Sequence, residues 1–371
     1  MFTLLLIAQA CSLTGGYIQT LVLSWVAAAQ GGGLYSLAAY MIACYLPVAV
    51  LSYPFGRWLD SRPQKGWLIG SEAVLAGLSF ILWQAAARGW LTFRFLLCFG
   101  AVWGVVRAFQ TPIYQSLPRR MDKELSKGTA LLTVVTYTAR GLGPILGGLL
   151  YAKWGVAVPF LVNFCSFVPS VILLCFLKIP QSKAGQGTQL KKWVPYLGRI
   201  FLASFLGVNY NVTFVSLVKE AGLGSASYGV ALGLLGAGAL LGYLIKSKLR
   251  RPLPSRYFLL GMGLLNLGLA LLPGIWWRGI CIFLYGVMDF GFFSGAVYAL
   301  SDQAEKEEIT AVMGLYTVVT VGAMPVGALF WSLISRRLGL PAALGLLGGG
   351  LLLLTFLWKG KNKNGKGMEY F

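Results

Sequence analysis

Apolar runs of about 20 residues recur along the whole chain, separated by short polar gaps. A run of that length carries a helix across a bilayer core of about 30 Å. Twelve are predicted as spanning helices, over residues 4–28, 34–57, 67–87, 90–115, 128–152, 156–178, 195–218, 226–246, 255–275, 277–300, 309–334 and 339–358. Barrel strands are short and alternate in polarity, so a β-barrel does not fit these runs. Most gaps are short, which makes neighbouring helices antiparallel. The longest polar gap, KIPQSKAGQGTQLKK (Lys178–Lys192), reads as a flexible linker near the middle of the chain. The expected division is an N-terminal six-helix half over 1–178, a linker over 179–193, a C-terminal six-helix half over 194–358 and a basic tail over 359–371. The predicted fold class is an all-α membrane protein of twelve transmembrane helices in two pseudo-symmetric halves.

Charge adds orientation. The 371 residues include 31 Lys and Arg against 11 Asp and Glu, a net charge of +20. In a soluble protein this balance suggests nucleic acid. Here the charges sit between spans, so topology explains them and no nucleic-acid partner is expected. Arg107 and Arg140 lie within spans. With both termini inside, Arg88, Arg94, Lys153, Lys219, Arg278, Arg336 and Arg337 fall in outer gaps, and the remaining 22 cations fall in inner gaps or the tail. That bias of 22 against 7 places the termini in the cytoplasm of a multi-pass cell-membrane protein. The opening MFTLLLIAQACSLTGG has no positive n-region and reads as the first span. There is no histidine, and Cys11, Cys44, Cys98, Cys165, Cys175 and Cys281 show no metal-ligand spacing, so neither metal nor cofactor is expected.

The two halves carry weak repeats. GVVRAF (Gly104–Phe109) aligns with GVMDFG (Gly286–Gly291), LGPILGG (Leu142–Gly148) with AMPVGAL (Ala323–Leu329), and Gly56-x-x-x-Asp60 with Gly242-x-x-x-Lys246. Parallel repeats of this kind are a transporter architecture, with the substrate site between them near the midplane.

Two motifs point to mechanism. GRWLDSRPQK, between the second and third spans, supplies Gly56 for close approach and Asp60, Arg62 and Lys65 for charge and helix-end contacts. Such a cluster can clamp one side and release it as the halves rock; an ordinary basic turn is the plainer alternative. TYTARGLGPILGG (Thr136–Gly148) interrupts an apolar span with Arg140 and Pro144. Gly143, Gly147 and Gly148 let another backbone come close, while Arg140 calls for a polar cavity, a partner or the interface.

On these motifs the chain resembles the major facilitator superfamily. GRWLDSRPQK is similar to the family's loop between helices 2 and 3, with Pro63 where glycine is usual, and ARGLGPILGG resembles the helix-5 motif associated with antiporters. Arg107 fits the helix-4 arginine of proton-coupled members. GGYIQTLVLSWVAA, RAFQTPIYQSLPRRM, YGVALGLLGAGALLGYL and GLYTVVTVGAMPVGALFWSLISRRLG are similar to the enterobactin-exporter and macrolide-efflux branch. SDQAEKEEIT (Ser301–Thr310) lacks the basic, glycine-containing loop usual before helix 11.

Candidate pathway residues follow. Asp289 is the one acid in the middle of a span, and Glu72 sits in the inner part of another. Intramembrane acids mark pathways or proton relays, or else structural ion pairs. Gln19, Asn209, Tyr210 and Asn211 can orient a polar substrate group or simply bond neighbouring helices. The resemblance implies that helices 1, 4, 7 and 10 line the cavity, so Arg107 and Asp289 are expected to face each other. Trp25, Trp276 and Trp277 read as interfacial anchors.

The leading expectation is a monomeric, proton-coupled exporter of a small organic molecule with negative groups, such as a siderophore, another metallophore or a drug. Two mid-span arginines against one mid-span acid favour the negative groups. A lipid or lysolipid flippase is the alternative within transport. An integral-membrane enzyme is disfavoured: no histidine exists and no Ser or Cys has a visible base. A channel lacks a filter motif.

Overall fold

The computed structural model describes residues 2–29, 33–120, 125–177, 179, 190–248, 253–272, 274–305 and 308–357. Thirteen helices are described and no strand among these residues. The first half holds α1 (Phe2–Ala29), α2 (Leu34–Asp60), α3 (Gln64–Ala87), α4 (Phe93–Arg120), α5 (Leu125–Trp154) and α6 (Ala157–Cys175). The second holds α7 (Leu190–Gly207), α8 (Tyr210–Glu220), α9 (Ser225–Lys248), α10 (Ser255–Leu271), α11 (Ile275–Gln303), α12 (Ile309–Leu338) and α13 (Leu340–Leu357). Ten helical stretches among the described residues are long and apolar enough to span a bilayer. Of the predicted spans, α5 is not among these ten, and α10, with 17 residues, is apolar but shorter.

The count of thirteen against twelve comes from one broken span. α7 and α8 form a single crossing interrupted at Val208 and Asn209. An interruption in hydrocarbon leaves carbonyls without helical donors and is tolerated only where protein supplies new ones. It does so here. Tyr285 donates its hydroxyl to Gly207 O at 2.7 Å, and Trp331 Nε1 donates to Phe205 O at 3.1 Å. Asn209 Nδ2 also reaches Phe205 O, and the Asn209 carbonyl accepts the N–H groups of Val212 and Thr213, each at 3.0 Å. α7 also starts earlier than predicted: Leu190–Trp193, read as linker, is helical, and Trp193 is buried. Residues 180–189 of the linker and the tail 359–371 lie outside the described residues.

The helix ends follow local chemistry. After α3, Gly89 adopts a left-handed φ of 73°, which lets the Trp90 N–H close on Ala85 O at 2.8 Å and cap the helix. Gly339 after α12 also has a positive φ, 84°, but with an extended ψ of 160°, and its carbonyl accepts the Ala343 N–H at 3.2 Å as α13 begins.

The halves meet along two main seams, α2 against α12 and α5 against α9. Small residues allow both. A Cβ at Gly314 would meet Ser52 O at 2.6 Å, and a Cβ at Gly229 would meet Pro144 O at 2.5 Å. α5 uses two glycine faces at once. Gly143 and Gly147 press on α1, where a Cβ would meet Thr14 O or Ile18 O at 2.9 Å. Gly148 presses on α9, where a Cβ would meet Ser225 O at 3.0 Å. Close backbone approach of this kind holds helices together where lipid offers no hydrophobic drive.

Candidate functional site

A cavity of about 210 Å³ lies between the halves, walled by α1 to α6 on one side and by α8, α9 and α12 on the other. Among the described residues its only charged lining side chains are Arg107 and Arg140. The volume is below the roughly 300–1,000 Å³ of pockets that hold drug-sized ligands.

Arg140 on α5 crosses to the other half. Its Nη1 donates to Asp289 Oδ2 on α11 at 3.3 Å, and Tyr137, one turn earlier on α5, donates its hydroxyl to the same oxygen at 3.1 Å. The guanidinium also lies over the Tyr210 ring, 4.4 Å from its centroid, and 5.3 Å from that of Tyr137. Such stacking contributes about 0.5–2 kcal/mol. Arg140 Nη2 and Asp289 Oδ1 are buried and make no hydrogen bond. Asp289 is 1% exposed and stands behind the cavity wall, while Arg140 borders the cavity.

The expected pairing of Arg107 with Asp289 is not what the fold makes. Arg107 on α4 donates Nη1 to Gln110 Oε1 at 2.5 Å and lies over Trp103 at 5.5 Å. Equivalent positions in a repeat are related by symmetry, and symmetry alone does not bring two side chains into contact. Arg140, on the helix packed into the α5–α9 seam, takes Asp289 instead.

Glu72 on α3 is fully buried within the first half. Its Oε1 accepts from Ser12 Oγ (3.0 Å), Gln110 Nε2 (2.9 Å) and the Tyr114 hydroxyl (2.9 Å). Gln19 is also withdrawn from the main cavity, accepting from Ser79 Oγ at 2.9 Å and Asn163 Nδ2 at 2.7 Å. It joins α1, α3 and α6. Asn209 stabilises the helix break, whereas Tyr210 lines the cavity. Asn211 falls in α8, and its side chain lies outside what is described.

At one end of the bundle Asp60 ties the halves. Its two carboxylate oxygens accept the N–H groups of Thr310 (3.1 Å) and Ala311 (3.0 Å), in the first turn of α12. This is a helix cap supplied from the opposite half. Gly56 makes it possible, since a Cβ there would meet Thr310 O at 2.7 Å. Gln64 adds a bond from Nε2 to Thr310 Oγ1 at 3.1 Å. Arg62 and Lys65 stay within the first half: Arg62 lies over Trp58 at 4.3 Å, and Lys65 donates to Cys175 O at 2.6 Å, at the end of α6. At the opposite end, Lys219 donates to Ala28 O at 2.8 Å and Trp25 stacks on Tyr228. Trp25, read as an interfacial anchor, therefore bridges α1 and α9; Trp276 is 84% exposed.

Sequence reasoning passed over Tyr137, Gln110, Tyr114 and Ser12. The signal was spacing. Tyr137 is three residues before Arg140, and Gln110 and Tyr114 stand three and seven after Arg107, each on the same helical face.

Two six-helix halves around a central cavity, with an ion pair and a helix cap between them, define a membrane transporter. The chain belongs to the Major Facilitator Superfamily, whose family model matches residues 5–328. It is similar to macrolide efflux protein A of Streptococcus pyogenes, 22% identical, with 89% of this chain and 88% of the relative covered. It is also 26% identical to a quinolone resistance transporter of Acinetobacter baumannii over 45% of this chain and 42% of that protein. Among solved structures, the human organic anion transporter MFSD10 (TETRAN) shares the fold with a TM-score of 0.77 at 16% identity, over 96% of this chain and 98% of that one. The chain is thus a multi-pass transporter with efflux proteins among its relatives.

Proposed function

We propose that this transporter exports small organic molecules with negative groups, of drug or siderophore type, by alternating access and with the proton gradient as its drive. The cavity wall supports this reading. Both of its charged side chains among the described residues are guanidiniums, both nearby acids stand behind it, and Arg140 Nη2 is a buried donor with no hydrogen bond. In this reading the protein acts as a monomer in the cell membrane with the Asp60 end and both termini on the cytoplasmic side, which the lysine and arginine bias supports.

The ion pair sets the sign of coupling. A negative group that takes Arg140 leaves Asp289 as a buried carboxylate, which needs a positive partner. A substrate that also carries an amine supplies one. Proton and substrate then exclude each other at Asp289, and inward proton flow drives efflux. A substrate with negative groups alone leaves the place to a proton, which then travels with it. Coupled in that direction, transport would be anion–proton symport, and the pair serves either sign.

Thermal stabilisation of the purified protein by matched acids, amines and zwitterions built on one aromatic scaffold tests the substrate class. Molecules with a negative group should stabilise it, the amines should not, and the Arg107→Gln/Arg140→Gln variant should lose the effect. Stabilisation by the amines alone, or an undiminished response in that variant, contradicts the reading.

A further inference from the structure

The two buried acids differ in what surrounds them. Asp289 has a guanidinium in contact. Glu72 has none. Its Oε1 collects three donors, while Oε2 is buried and makes no hydrogen bond. Ser170 on α6 stands beside the carboxyl as a further hydroxyl that can bond it. An ionised carboxylate buried with no cation in contact is a costly arrangement even when hydroxyls and an amide donate to it. A proton on Oε2 resolves it: the O–H donates to Ser170 Oγ, and Oε1 keeps its donors.

One amide links Glu72 to a cation. Gln110 donates Nε2 to Glu72 Oε1 and accepts Arg107 Nη1 on its own Oε1. Arg107 borders the cavity, and so does Ser12, another Glu72 partner. From α4, Tyr114 and Arg107 are the titratable or charged groups directed at this acid; the partners from α1 and α6, Ser12 and Ser170, do not titrate in the working range.

We infer that Glu72 is a proton-binding site separate from Asp289, and that Gln110 is a positioning residue which couples its occupancy to the reach of Arg107 into the cavity. With Glu72 neutral, Gln110 spaces Arg107 from it and the guanidinium faces the cavity. With the proton gone, the buried carboxylate draws Arg107 toward itself and away from a negative group on the substrate. The inference rests on the cavity being the substrate site. Its test uses no substrate, so it can fail while that reading stands.

Infrared titration of the protein in lipid reads the proton directly. A protonated-carboxyl band should be present at neutral pH, persist in Asp289→Asn, vanish in Glu72→Gln and return, shifted, in Glu72→Asp, which also reports that the site still folds. The second readout is ¹⁹F NMR of 5-fluorotryptophan at Trp103, over which Arg107 lies, assigned through Trp103→Phe. Its resonance should move with the titration of the band in the wild type. It should stay fixed in Gln110→Leu, where the band still titrates. Absence of the band at neutral pH, its survival in Glu72→Gln, or an unchanged Trp103 titration in Gln110→Leu overturns the proposal.

Discussion

Arg140→Leu is expected to abolish transport and to lower stability by about 3–5 kcal/mol, the usual cost of stranding one member of a buried ion pair. Asp289 would keep only the Tyr137 hydroxyl at 3.1 Å. The Tyr210 ring would lose the cation 4.4 Å from its centroid. The stability loss is specific to the stranded charge, so it has an internal check. Adding Asp289→Asn removes that charge, and the double variant should regain much of the lost stability in a denaturation series while remaining transport-dead. A double variant as unstable as Arg140→Leu alone would mean that the pair does not account for the loss. Arg140→Lys should fail to restore transport, because a lysine ammonium is a point charge without the planar fork that contacts Asp289 and covers Tyr210 together.

Asp60→Asn is expected to open the end of the bundle that Asp60 now closes. The carboxylate takes two N–H groups of the first turn of α12, where a negative charge also meets the positive end of the helix dipole. Asparagine offers one acceptor oxygen and no charge. A loss of about 1–2 kcal/mol from the closed state shifts its population by roughly 5–30-fold. Double electron–electron resonance between labels at Trp67 and Asp302, both exposed on opposite halves, reads this as a longer distance distribution, after the six native cysteines are replaced. Turnover should fall by roughly the same 5–30-fold factor. An unchanged distribution with normal turnover would show that Asp60 is not the latch.

The all-helical membrane fold and the order of its spans were legible because apolar runs of spanning length leave little choice in lipid. The break after Gly207 was not, because Val208 continues the apolar run and the donors that permit it, Tyr285 and Trp331, lie 78 and 126 residues from the carbonyls they bond. Arg140 and Asp289 were legible as costly charges. Their pairing was not, since repeat alignment matches Asp289 with Arg107 and carries no information on which helices touch. Residue type left Gln19 and Asn209 open between substrate contacts and helix-to-helix bonds; the partners they bond, Ser79 and Asn163 for Gln19 and the Phe205 carbonyl for Asn209, depend on packing that type does not reveal.

The most direct test of the coupling reading is transport into proteoliposomes of a molecule chosen by the stabilisation series, with and without an imposed pH gradient. The wild type should accumulate it against proton flow if it carries both charges. Asp289→Asn should lose gradient-driven accumulation and keep exchange at zero gradient. Accumulation by Asp289→Asn at the wild-type level in response to the gradient would contradict the account, because the ion pair between the halves would then have no part in coupling.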